Sequence, residues 1–168
     1  MNSDVIIFLD IEGVIYPGLP FVVVPFTAVN RLEAILTEFP ECQIVISSDL
    51  RKRHGLSELK RFFSAGIAAR IIGVTPVIQL STYFWRQREI EQYLGDADQV
   101  TDSWIALDDN PKYFSPHSPN VILCNPLRGI DEQIEMQVRS KLTEFRTLNN
   151  AHESKKDFGM APRASFAG

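Results

Sequence analysis

The stretch that decides the fold is Val5-Ile6-Ile7-Phe8-Leu9-Asp10-Ile11-Glu12-Gly13-Val14-Ile15. Five apolar residues run directly into Asp10, and Glu12 and Gly13 follow at once. An unbroken apolar run of this length suits a strand covered on both faces, the environment of a parallel sheet. Carboxylates at the end of such a strand sit in a low-dielectric rim, where they cost free energy unless paired or bound to a metal. In open α/β sheets that rim, outside the carboxyl ends of the strands, is where ligands bind.

Working outward, the same pattern recurs. Gln43-Ile44-Val45-Ile46 reads as a second strand ending in Ser47-Ser48, and Trp104-Ile105-Ala106-Leu107 as another ending in Asp108-Asp109. Ala69-Arg70-Ile71-Ile72 and Asn120-Val121-Ile122-Leu123-Cys124 supply two more candidate strands. Helices are expected from Thr27, a plausible N-cap, to Pro40, which stops it, and over roughly 55–64, 82–94 and 131–147. In the 55–64 helix, Leu56, Leu59, Phe62 and Phe63 are expected to face inward. The Pro/Gly-punctuated stretch 13–25 reads as a loop or small flap, with a short strand from Phe21 to Val24. Strands alternating with helices imply a parallel sheet with right-handed crossovers. The expected fold is therefore α/β, a Rossmann-like three-layer sandwich around a central parallel sheet. Residues 1–148 form its single domain, and the polar, aperiodic stretch 149–168 is expected to be a loosely ordered tail.

Composition narrows the function classes. The chain has 168 residues, 45% hydrophobic and 23% charged, which is ordinary for one globular domain. A net charge of −4 gives no global attraction to nucleic acid or anionic membranes, so a polyanion would need a local basic patch. Arg51-Lys52-Arg53-His54 is such a run, and read alone it is a solvated basic turn. Cys42 and Cys124 read as small core residues of a reduced, cytoplasmic protein rather than a disulfide framework. No signal peptide and no segment of membrane-spanning length is expected. His54, His117 and His152 lack metal-ligand spacing.

Each strand end alone has a commonplace explanation as a turn or a cap. Together they are harder to dismiss, because in a parallel sheet Asp10/Glu12, Ser47/Ser48 and Asp108/Asp109 all converge on one edge. Converging carboxylates repel, and a hard cation such as Mg²⁺, bound through carboxylates and substrate phosphate, is the usual resolution. With a metal in place, one carboxylate can attack phosphorus, a hydroxyl can hold a phosphate oxygen, and a second acid can serve the leaving group and then water.

These motifs resemble those of the haloacid dehalogenase-like (HAD) superfamily over about residues 4–130. Its D-x-D-G motif reads here Asp10-Ile11-Glu12-Gly13, and its strand ending in Ser or Thr reads Ile44-Val45-Ile46-Ser47. Its later acidic strand end reads Ile105-Ala106-Leu107-Asp108-Asp109. More narrowly, Ser47-Ser48-x-x-Arg51, Gly73-x-Thr75-Pro76 and Arg86-x-x-Glu89-Ile90 resemble the HAD group associated with bacterial RNA-repair proteins. The resemblance implies a phosphohydrolase with Asp10 as nucleophile and Mg²⁺ ligand. Glu12 would be acid/base and a further metal ligand through its carbonyl, and Ser47 would bind phosphate. Asp108 or Asp109 would complete the metal site. A cation on the third helix is required, and Arg86 fits the spacing best, with Arg88 second. Ser48, Arg51 and Arg88 are candidate substrate contacts.

One position departs from the pattern. Glu12 stands where the family usually has Asp, and the extra methylene moves the carboxyl by more than about 1 Å, a displacement that can cost about 100-fold in rate. A slow enzyme or a non-catalytic binding module is the alternative this opens, and a phosphotransferase would use the same residues. Only about fifteen residues separate the first strand from the first helix, so little or no cap is expected. An open site suits a phosphate on a macromolecule, a nucleic-acid end or a phosphoprotein.

Overall fold

A computed structural model describes residues 5–17, 27–78, 83–96 and 103–158, with side chains to residue 151. Its five strands are β1 (Val5–Leu9), β2 (Cys42–Ile46), β3 (Ile71–Val74), β4 (Trp104–Asp108) and β5 (Val121–Leu123). The helices are α1 (Thr27–Glu38), α2 (Leu56–Lys60), α3 (Ala65–Arg70), α4 (Trp85–Asp96) and α5 (Glu132–Phe158). All strands are parallel and lie in the order β3-β2-β1-β4-β5. The chain steps outward from β1 to β2 and β3, then returns to lay β4 on the other side of β1. This reversal opens a crevice at the carboxyl ends of β1 and β4, the expected ligand position in such a sheet.

Alternation along the strands divides the core in two. Val5, Ile7 and Leu9 of β1, with Ile44, Ile46, Ile105 and Leu107, pack against apolar residues of α1 and α5 and against Leu59 and Ile67. Ile6, Phe8, Val45 and Ala106 face the other way, onto Ile90, Tyr93 and Leu94 of α4 and onto Phe114. Every residue of β1 is at most 1% exposed, which is why its sequence is apolar without alternation. The result is the expected three-layer α/β sandwich, a Rossmann-like core.

The structure revises several element boundaries. The helix expected over 55–64 ends at Lys60; a further short helix, α3, starts at Ala65, where Ser64 accepts a hydrogen bond from the Ile67 amide, and it takes in Ala69 and Arg70, so the strand expected from Ala69 begins only at Ile71. Leu59 is buried as expected, but Phe62 is 38% exposed in the turn between α2 and α3. The last helix continues to Phe158, into the stretch expected to be a loose tail. The Phe21–Val24 strand lies outside the described residues, as do residues 159–168. Among the described residues there is no cap. The β2–β3 connection folds back onto the sheet through Leu59 and Ile67.

Candidate active site

The ladder continues one residue past the strand ends. Ser47 N donates to Leu9 O (2.9 Å), Asp10 N to Leu107 O (3.0 Å) and Cys124 N to Asp108 O (2.8 Å). Ser47, Asp10 and Asp108 therefore stand side by side. By alternation they follow Val45, Phe8 and Ala106, the residues facing α4, and α4 brings Arg86 to them.

Three carboxylates meet there. Asp10, Asp108 and Asp109 each offer an oxygen, and these oxygens lie within 4.8 Å of one another. Asp10 is 6% and Asp108 1% exposed. Asp10 Oδ1 accepts from Ile11 N (2.7 Å), and Asp108 Oδ1 from Asn110 N (2.9 Å). Asp108 Oδ2 is buried without a hydrogen-bond partner among the described residues. Burial raises the pKa of Asp10, against the opposing pull of Arg86, the Ile11 amide and the Ser48 hydroxyl. Burial, then the negative charge of Asp10, pushes Asp108 up to about 7. Three clustered carboxylates, with Asp10 and Asp108 resisting ionisation and one Asp108 oxygen orphaned, fit a hard divalent cation.

Gly13 explains itself in this geometry. Its φ is +74°, and a Cβ there would fall 2.3 Å from Asp109 Oδ2. Glycine lets the turn after β1 pass directly against the third acid. The turn is closed by Gly13 N donating to Tyr16 O (2.9 Å), and it leaves Glu12 exposed on the rim. Asp10, Glu12, Asp49, Arg86, Asp109 and Tyr113 are among the residues lining one open cleft of about 360 Å³.

Arg86 is the cation that reaches the acids. Its side chain is 1% exposed; Nη2 donates to Asp49 Oδ1 (3.2 Å) and Nε lies 3.6 Å from Asp108 Oδ2. Nε and Nη1 have no hydrogen-bond partner among the described residues. Arg88, two residues on, is exposed and does not line the cleft. Ser47 and Ser48 are both buried, and the Ser48 hydroxyl accepts from Leu50 N (3.3 Å) while hydrogen-bonding Asp10.

The basic run divides. Lys52 and Arg53 are exposed, but Arg51 is 8% exposed and its guanidinium is spent on backbone carbonyls and on Glu89. Arg51 thus makes none of the solvent-facing contacts expected of it. Asp49 and Tyr113, which line the cleft, carry no motif and escaped the sequence reading. Asp49 had one weak signal, its place right after the second strand-end cluster.

The parallel sheet, its order and the acids at the β1 and β4 ends define a HAD-type core. The chain belongs to the family described as the HAD domain in Swiss Army Knife RNA repair proteins, which it matches over residues 6–134. That span holds Asp10, Glu12, Ser47, Arg86, Asp108 and Asp109. No curated protein and no solved structure matches the chain.

Proposed function

We propose that the protein is a Mg²⁺-dependent phosphohydrolase acting on phosphomonoesters through an aspartyl-phosphate on Asp10. The observation that carries this reading is the meeting of Asp10, Asp108 and Asp109 oxygens within 4.8 Å beside a buried arginine with unspent donors. Asp10, Asp108 and Asp109, with the Glu12 carbonyl, would hold the metal, which supplies charge neutralisation for the incoming phosphate.

Arg86 presents Nε and Nη1 to the phosphate oxygens, and Ser47 stands beside Asp10 to donate its hydroxyl to another. These donors stabilise the charge that accumulates on the equatorial oxygens as the phosphoryl group transfers. Asp10 attacks phosphorus, the bond to the leaving oxygen breaks, and protonated Glu12 gives that oxygen its proton. Glu12, now a carboxylate, takes a proton from water as the water attacks the aspartyl-phosphate. The phosphorus–Asp10 bond breaks and both residues return to their starting states.

The cleft is open, and among the described residues nothing caps it. A macromolecular phosphate fits such a site, and the family's association with RNA repair favours a nucleic-acid end over a phosphoprotein. Exposed Lys52 and Arg53 lie close in sequence to cleft-lining Asp49. Among the described residues no helix is long and apolar enough to cross a membrane. The test is phosphate release with Mg²⁺ across nucleotides, phosphorylated oligonucleotide ends and phosphopeptides. The reading expects turnover, fastest on oligonucleotide ends. No release from any of them would overturn it.

A further inference from the structure

A buried ion pair, Arg51 and Glu89, lies outside the cleft lining and meets it at one cleft-lining acid, Asp49, whose Oδ1 is 3.5 Å from Arg51 Nη1. Arg51 sits in a 3-10 turn (Asp49–Lys52) directly after Ser48. Its Nε donates to Thr75 O (3.0 Å), Nη1 to Ser47 O (2.9 Å) and Ser48 O (2.8 Å), and Nη2 to Pro76 O (3.1 Å). Nη2 also lies 2.5 Å from Glu89 Oε2, both side chains being 1% exposed. Glu89 in turn accepts from Ile78 N (3.3 Å) through Oε1. A guanidinium has five N–H groups in a rigid plane, and here they face four carbonyls and the carboxylates of Glu89 and Asp49. An ammonium, with three donors and a compact charge, cannot span that set.

The segments joined are the loop after β2, the loop after β3 and α4. The first carries Ser47 and Ser48 beside Asp10, and the last carries Arg86, three residues before Glu89 and buried with it. In trans peptides the N–H opposes the C=O, so fixing the Ser47 and Ser48 carbonyls also fixes the Ser48 and Asp49 amides. A buried ion pair is an inefficient way to gain stability, since apolar side chains of similar volume often serve as well or better. Such a pair is better suited to holding loops in one arrangement.

We propose that Arg51 and Glu89 are positioning residues. They act on the phosphate only through the turn at residues 47–49 and through Arg86, and they set where those groups stand relative to Asp10. This rests on the phosphohydrolase reading, and it replaces the expected role of Arg51 as a substrate contact.

The test compares full-length wild type with Arg51→Lys and with Glu89→Gln, which retain bulk at each site. Three quantities are read: thermal unfolding, inorganic phosphate binding by calorimetry with Mg²⁺ present, and kcat and KM on a phosphomonoester. The proposal expects folded variants whose phosphate affinity and kcat/KM fall by about 10- to 100-fold, the loss a displacement of about 1 Å can cause. Mg²⁺ affinity, which belongs to Asp10, Asp108 and Asp109, should stay within about twofold of wild type, well under the 1.4 kcal/mol that a tenfold change represents. Folded variants with wild-type phosphate binding and kinetics would overturn it. Failure of both variants to fold would overturn it too, marking the pair as purely structural. A wild type that neither binds phosphate nor turns over the ester would overturn the phosphohydrolase reading and this one with it. The first two outcomes leave the phosphohydrolase reading standing.

Discussion

Arg86 holds its Nε 3.6 Å from Asp108 Oδ2, both side chains are 1% exposed, and neither atom completes a hydrogen bond among the described residues. Two opposite charges this deeply buried are ordinarily drawn into a closer, fully hydrogen-bonded pair. The gap leaves donors on Arg86 and an oxygen on Asp108 for other partners, which in the proposed mechanism are phosphate and metal. Truncating Arg86 to Gln should raise KM for a phosphomonoester and lower kcat/KM by about 10²-fold or more, the loss typical of one preorganised charged donor. Arg86→Lys should recover part of it. Arg88→Gln, at an exposed position off the cleft, should leave the kinetics near wild type. Steady-state kinetics on the three variants check this, and an equal loss in Arg88→Gln would contradict it.

Glu12 is exposed on the cleft rim. If it is the acid/base, Glu12→Gln should lower kcat by about 10²- to 10⁴-fold, the range for one general acid–base group. Phosphate binding should change little, because Arg86 and the metal ligands remain. Phosphate calorimetry alongside kcat separates the two. An unchanged kcat would remove Glu12 from the mechanism.

The pKa values of Asp10 and Asp108 are both raised by burial, Asp108 to about 7. In the unfolded chain these groups ionise near pH 4. Between those limits the native, metal-free protein holds protons that the unfolded chain has released. Its stability therefore falls as pH rises from about 4 through about 7. Below about pH 4 both states are protonated and this penalty is absent. Melting temperature in a chelator should decline from pH 5 to pH 8, and less steeply in Asp108→Asn, which removes both the titration of Asp108 and its charge from beside Asp10. Mg²⁺ should raise the wild-type value more at pH 8 than at pH 5. A wild-type slope matched by Asp108→Asn would contradict the assignment.

Gly13 and Gly95 make opposite predictions. Gly13→Ala puts a Cβ into a φ of +74° and against Asp109 Oδ2, so it should cost about 1–3 kcal/mol of stability and weaken Mg²⁺ binding. Gly95 lies in the last turn of α4 and, among the described residues, nothing comes within 4 Å of a built Cβ, so Gly95→Ala should stabilise by up to about 0.5–1 kcal/mol. Denaturant unfolding of both variants, with Mg²⁺ titration of the first, decides. A Gly13→Ala protein as stable as wild type, with undiminished Mg²⁺ affinity, would show that the close approach is not required.

The sheet and its acids were legible because burial leaves a direct mark on sequence. Val5 to Leu9 had to be apolar on both sides, and the acids at Asp10, Asp108 and Asp109 stand out against such strands. Spacing favours Arg86 over Arg88, and the helix turns the first inward and the second outward. Arg51 departs from its sequence pattern, because a run of three basic residues looks solvated and Arg51 is buried. Only the tight turn after Ser48 tucks its guanidinium under two loops, and no local pattern encodes four inward carbonyls. Asp49 gives as little local sign, since it pairs with Arg51 and Lys52 of its own turn and with Arg86 of a distant helix. Helix α3 carries little local sign, since Ser64, its cap, stands at the end of the stretch whose apolar spacing suits a helix, and Ala69-Arg70-Ile71-Ile72 reads as a strand.

The central claim is that Asp10 is the nucleophile, and the most direct measurement compares phosphate release by wild type and Asp10→Asn. Both are assayed with Mg²⁺ on a phosphorylated oligonucleotide end. The amide keeps the size of the side chain and removes its nucleophilicity, so a folded Asp10→Asn protein should lose roughly 10³-fold or more of the wild-type rate. Asp10→Asn releasing phosphate as fast as wild type would contradict the claim.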